Sequence, residues 1–123
     1  MPPLHKIENR TQGNTLATHA TIADGLCERL IGLLGRASLP AGEALVFPQC
    51  WSIHTIGMRF PIDVIFIDRA WRVAVLKPAV PPGRMIWPVH AAWGVIEMAA
   101  GAIQACELIV GDQLHLTDAS HTS

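Results

Sequence analysis

Residues 62–76 read Ile62-Asp63-Val64-Ile65-Phe66-Ile67-Asp68-Arg69-Ala70-Trp71-Arg72-Val73-Ala74-Val75-Leu76. The first six are β-branched or aromatic apart from one carboxylate, and they are too short and too apolar for a surface helix. Asp68-Arg69-Ala70 turns the chain. Trp71, Val73 and Val75 then alternate with Arg72 and Ala74, the period of a strand with one face covered. This stretch predicts a β-hairpin whose first strand is the clearest in the chain.

Working outward, the same grammar recurs. Ala44-Leu45-Val46-Phe47 is a short apolar strand stopped by Pro48. Trp51 to Met58 reads as extended. Trp93-Gly94-Val95-Ile96-Glu97-Met98 is a further strand, broken by Gly101. Gly111-Asp112 turns into a last strand over 113–117. Met85 to His90 forms one more short strand, and Ala102 to Glu107 one or two helical turns. Pro78, Pro81, Pro82 and Gly83 predict a stiff loop, because proline fixes φ and lacks a donor. Leu16 to Ala23 suits a strand. Asp24 then caps a helix in which Leu26, Leu30, Leu33 and Leu34 recur at helical spacing, ended by Gly35. The expected fold class is mainly β, barrel-like or sandwich, with one prominent α-helix near residues 24–35. Residues 1–14 read as a flexible lead-in with at most a weak edge strand, 15–117 as a single globular domain, and 118–123 as a disordered tail.

Composition sets limits on function. The chain has 123 residues, half of them hydrophobic and 15% charged, enough for one core. A formal net charge of −1 favours neither nucleic acid nor an acidic surface. The absence of Tyr and the presence of three Phe argue against a base-stacking platform. The three cysteines, Cys27, Cys50 and Cys106, have neither disulfide-framework nor zinc spacing, so free thiols and no metal are expected. No apolar run suits a signal peptide or a membrane span. The expected location is therefore cytoplasmic, with no membrane and no nucleic-acid partner. The glycines form no phosphate loop, and no cofactor is expected. The chain is expected to be a monomer or a weak homodimer.

Three blocks occur in order: Glu28-Arg29-Leu30-Ile31-Gly32-Leu33-Leu34-Gly35-Arg36 with Leu39 and Gly42 to Pro48; Phe60-Pro61-Ile62-Asp63-Val64-Ile65-Phe66-Ile67-Asp68; and Val95-Ile96-Glu97-Met98-Ala99-Ala100-Gly101 with Gly111-Asp112. Together they resemble the domain of unknown function 192 family over residues 16 to 116. That resemblance implies a mainly-β domain with one prominent helix and no established activity. The common family form carries Phe-Trp-Met-Lys-Asn-Thr before its Pro-Leu-Asp. Here that stretch falls on Ile53-His54-Thr55-Ile56-Gly57-Met58, so the Asn-Thr pair becomes Gly57-Met58 while His54 and Thr55 stand upstream.

The candidate chemistry rests on polar residues in apolar strands. Asp63 and Glu97 each need a partner, because a lone buried charge is costly. Converging, they would form an acid–base pair. Otherwise each pairs with Arg29, Arg36 or Arg59, or accepts backbone N–H groups. His54 is a candidate base or metal ligand oriented by Asp63 or Glu97, or a plain backbone-bonded histidine. Cys50 and His54 lie about 13 Å apart in an extended strand, too far for a direct nucleophile–base contact. Arg29 and Arg36 share one helix face, to hold an anion or to clamp a carboxylate. Trp51, Trp71, Trp87 and Trp93 are candidates to line a pocket or to fill the core. The reading is a shallow polar cleft of His54, Thr55, Arg59, Asp63 and Glu97 that binds a small ligand or a partner segment. The alternative is a small hydrolase or lyase using Asp63, His54 and Glu97.

Overall fold

A computed structural model describes residues 5–23, 38–86 and 89–118. The expected helix at 24–35, with Arg29, Arg36 and Cys27, lies outside the described residues, as do Trp87 and the tail 119–123.

The described chain runs β1 (His5–Asn9), β2 (Asn14–Ile22), β3 (Glu43–Phe47), β4 (Ile53–His54), β5 (Ile62–Ile67), β6 (Val73–Val80), β7 (Met85–Ile86), β8 (Gly94–Ala99), α1 (Ala102–Ala105) and β9 (Leu114–Asp118). The expected mainly-β class holds. Seven strands form one sheet in the order β6-β5-β8-β3-β2-β1-β9, and β4 pairs with β7 in a small second sheet. Neighbours in the large sheet are antiparallel except β2 and β3.

The two end strands meet. Arg72 bridges Gln113. The Val73 N–H donates to the Asp112 carbonyl (2.9 Å), the Gly111 N–H to the Val73 carbonyl (2.8 Å), and the Leu114 N–H to the Trp71 carbonyl (2.9 Å). These bonds curl the sheet into a half-barrel, joined at one end.

The curl separates two cores. Ile7, Leu16, Val46, Ile65, Val73, Ile96, Met98 and Leu114, with Ile103 of α1, fill the inner face, which draws on all seven strands. Phe47, Val64, Phe66 and Val95 form the outer core with Leu39, Cys50 and Ile53. Every residue of β5 is buried. Strands covered on both faces lose polar alternation, which is why 62–67 reads as an unbroken apolar run.

Two expectations are corrected. The lead-in expected over 1–14 is instead ordered from His5: β1 lies between β2 and β9, and Ile7 and Asn9 are buried. Its polar sequence hid it, since only two of its five residues are buried. The loop expected from Pro78 begins later, because β6 runs on to Val80. The strand tolerates Pro78 because β6 is an edge, where a missing donor breaks no ladder. A register shift between Ile62 and Val64 accommodates it, and Ala79 adopts φ 49°.

Candidate functional site

The two carboxylates anticipated from the sequence, Asp63 and Glu97, do not converge. In β5, Ile62, Val64 and Phe66 face the outer core while Ile65 and Ile67 face the inner one. Side chains alternate along a strand, so Asp63 points inward. Asp63 pairs with Met98 and Val64 with Glu97. Directly paired residues share a face, so Glu97 lies on the outer side, with Leu45 as its other cross-strand partner. The sheet itself separates the two carboxylates.

Asp63 is fully buried. Its Oδ1 accepts the Ala79 N–H (2.8 Å), and its Oδ2 accepts those of Ile103 (2.8 Å) and Gly101 (3.2 Å). Gly101 is the N-cap of α1 at φ 100° and has no side chain to cap it. Asp63 therefore caps the first turn from a strand 40 residues away in sequence. The same carboxylate holds the bulged part of β6. Backbone acceptance at a turn, rather than an arginine partner, explains its burial.

Thr55 is fully buried. Its hydroxyl donates to the Pro81 carbonyl (2.7 Å) and accepts the Arg84 N–H (2.9 Å). It pins the β4–β7 pair to the 81–84 loop. His54 is half-buried on β4, opposite Met85, and its Nδ1 is buried without a hydrogen-bond partner among the described residues. Arg59 is exposed. The Cys50 thiol donates to the Ser52 carbonyl (3.0 Å).

A second buried polar cluster was not foreseen. Asp112 is 1% exposed. Its Oδ2 accepts from Asn9 Nδ2 (2.9 Å), Gln12 Nε2 (2.7 Å) and the Ile109 N–H (3.1 Å). Burial pushes its pKa up, but the hydrogen bonds from Asn9, Ile109 and Gln12 outweigh burial and hold the carboxyl below its ordinary value. The cluster ties the β1–β2 turn to the start of β9. The only sequence signals were an Asn in an otherwise weak strand and Gly111-Asp112 as a turn.

The space open to a ligand lies elsewhere. A cleft of about 820 Å³ is walled by Gln49, Trp51, Asp68, Arg69, Ala70 and 90–93. Three segments build it, and backbone bonds stitch them. The Cys50 N–H donates to the Trp93 carbonyl (2.8 Å), the Val89 N–H to the Trp51 carbonyl (2.8 Å), and the Trp93 N–H to the Ile67 carbonyl (2.7 Å). Gly94 allows this approach, since a Cβ there would meet the Phe47 carbonyl at 3.3 Å and Ile67 at 3.4 Å. Trp51 is 54% exposed. Trp93 is half-buried and leans on Trp71 with ring centroids 6.4 Å apart. Arg69 and His90 are exposed at the rim. Asp68, the single carboxylate of the cleft among the described residues, already accepts the Ala70 and Arg72 N–H groups on its Oδ1, both at 2.9 Å. Gln49 takes φ 55° and Trp71 φ 63°, a left-handed backbone that non-glycine residues adopt at a cost. The cleft thus combines aromatic walls with a cationic rim. Of the residues anticipated, only the tryptophans lead to it.

Among the described residues no group of His, Cys, Asp and Glu is placed to hold a metal ion, and no helix is long and apolar enough to cross a membrane.

Comparison with known proteins agrees with the fold. The sequence model of the DUF192 family, described as an uncharacterized ACR, matches residues 7–116. A UPF0127 protein of Thermococcus sibiricus is 31% identical over 110 residues, covering 86% of this chain and 71% of that one. A UPF0127 protein of Pyrococcus furiosus is 30% identical over 113 residues, covering 86% and 93%. A crystal structure of a protein of unknown function from Novosphingobium aromaticivorans superposes with a TM-score of 0.76 at 18% identity, over 91% of this chain and 83% of that one. A Sinorhizobium meliloti structure, whose name suggests a transcription regulator, gives 0.75 at 17% identity over 94% and 95%. At those identities the likeness is one of fold.

Proposed function

The chain belongs to the uncharacterized DUF192 family, and from that premise we propose that it is a binding domain whose cleft between Trp51, Arg69, His90 and Trp93 holds a small anionic ligand with a flat apolar part. The observation that carries this reading is the cleft itself. Its volume falls in the usual range for small-molecule sites, and its apolar walls carry a few convergent polar groups. Indole faces suit a planar group, and a guanidinium suits a carboxylate or phosphate. The ring contact with Trp71 and the backbone stitching support a preformed site, which lowers the ordering cost of binding.

Binding without turnover is favoured over the hydrolase or lyase alternative. An acid–base pair needs two groups on one side of a cleft, and Asp63 and Glu97 lie on opposite faces of the sheet. Asp63 also has both oxygens engaged by backbone donors.

The test uses benzoate, indole-3-acetate and citrate as probes, followed through the indole N–H resonances of the tryptophans. The aromatic carboxylates shift the signals of Trp51 and Trp93 more than citrate does. Trp51→Ala and Arg69→Ala each weaken binding about tenfold, equivalent to ~1.4 kcal/mol, and leave the melting temperature in place. Probes that leave both indoles unshifted at millimolar concentration, or shifts unaffected by Arg69→Ala, would sink the proposal.

A further inference from the structure

A separate groove of about 680 Å³ runs along the edge of the sheet. Its apolar floor comes from Val75 and Val80 of β6, from Ile86 of β7 and from Val89. These four pack into the outer core. Met85, 54% exposed, stands on one side. Lys77 and Arg84 line the groove with exposed side chains, and no carboxylate lines it among the described residues.

The groove follows an end strand. Beyond the Arg72 bridge, no strand among the described residues pairs with the outer side of β6. Open edges are usually guarded by Lys, Pro or a bulge, because their free N–H and C=O groups recruit other chains. In β6 the guards are unevenly placed. Pro78 and the left-handed Ala79 sit in its second half. Val75, Leu76 and Lys77 pair in regular register with Phe66, Ile65 and Val64, so this part of the strand is straight enough to act as a template.

We propose that β6 takes up an extended acidic peptide segment by strand addition. The peptide main chain bonds to the open edge around Val75–Lys77. Its apolar side chains lie on Val75, Ile86 and Met85, and its carboxylates meet Lys77 and Arg84. Strand addition draws affinity from main-chain bonds and specificity from alternate side chains, which fits an apolar floor beside two cations. The occupant is acidic because the two charged side chains lining the groove among the described residues, Lys77 and Arg84, are both positive.

The experiment selects peptides from a random display library on the full chain and measures the best of them by fluorescence anisotropy. Selected peptides alternate apolar residues with Asp or Glu. The double variant Lys77→Glu, Arg84→Glu loses at least about tenfold in affinity, and Lys77→Gln, Arg84→Gln loses less. Methylating alternate backbone nitrogens of the peptide abolishes binding in one of the two phases. Trp51→Ala binds as the parent does, which separates this groove from the tryptophan cleft. Both double variants melt with the parent, since the altered side chains are exposed. Absence of enrichment, enrichment without acidic residues, indifference to the charge reversal, or loss with Trp51→Ala would each overturn the proposal. So would binding of phosphatidylserine vesicles, lost in the Lys77→Glu, Arg84→Glu variant, in place of any peptide; that outcome would reassign the groove to an anionic membrane surface.

Discussion

Replacing Asp63 by Ala removes the acceptor of three backbone donors at once. The Ile103 N–H is buried and loses its partner without water to replace it, at about 2 kcal/mol. The Ala79 and Gly101 donors are partly accessible, so about 1 kcal/mol each is a fair cost. The sum, roughly 3–5 kcal/mol with the small cavity included, is a large part of the stability of an ordinary domain. For a chain of this length about 4 °C of melting temperature corresponds to 1 kcal/mol, so Asp63→Ala should melt roughly 12–20 °C lower. Asp63→Asn keeps one oxygen but turns an amide N–H toward a backbone donor. It should fall between the two, near 2 kcal/mol. Urea unfolding of all three proteins, with equal m-values, gives the comparison. A melting temperature within about 2 °C of the parent would refute the reasoning. A carboxylate kept for chemistry, by contrast, commonly destabilises its own fold, so an alanine variant more stable than the parent would revive the enzymatic reading.

Other outcomes follow from the same geometry. Thr55→Val removes a hydroxyl that bridges Pro81 and Arg84, and urea unfolding should show a loss of about 1–2 kcal/mol. Asp112 has a lowered folded-state pKa, so its stabilisation is present above its unfolded pKa and is lost as pH falls through the lower folded value. Melting curves from neutral to strongly acidic pH should therefore fall less steeply in Asp112→Asn than in the parent; equal slopes would contradict the cluster. Burial raises the Cys106 thiol above its ordinary value of 9.0, so its alkylation by iodoacetamide should rise with pH only beyond that of a free cysteine. Cys50, buried and bonded to the Ser52 carbonyl, should stay unmodified until the chain unfolds. All three thiols should then titrate without reductant, and a count of one would reveal a disulfide.

Much of the fold was legible because strands buried on two faces have few alternatives. The hairpin of β5 and β6, the short β3 and the strand at β8 all stand where apolar runs end at Pro, Gly or Asp. β1 was not legible, since one partner is the distant β9 and its own five residues carry little apolar pattern. Asp63 and Glu97 stood out as carboxylates in apolar strands, and backbone donors supply the partners of Asp63. Their placement on opposite faces depends on which residue pairs with which across β5 and β8, and a one-residue change of register would reverse it. Local pattern holds no such information. The cleft was hidden for a related reason: Gln49, Arg69 and His90 come from three loops that only the sheet order brings together. The count of tryptophans was the one hint. Residues of two of the blocks that carry the family resemblance, Asp63 and Gly101, meet in a single cap, and Asp112 locks the ends of the sheet. These positions are explained by architecture.

The placement of β1 between β2 and β9 also governs how the molecule can form. His5–Asn9 pairs with Leu114–Asp118 across more than a hundred residues of chain. β1 therefore waits for one of its partners until the more than one hundred residues between them have been made. Contacts of such sequence separation demand closure of a long loop before they return any energy, which places folding toward the slow, milliseconds-to-seconds end for domains of this size. During that interval the inner faces of β1 and β2 are exposed to other chains. The sheet stays incomplete until β9 is available to β1, and its unpaired strand edges favour contact between copies until then.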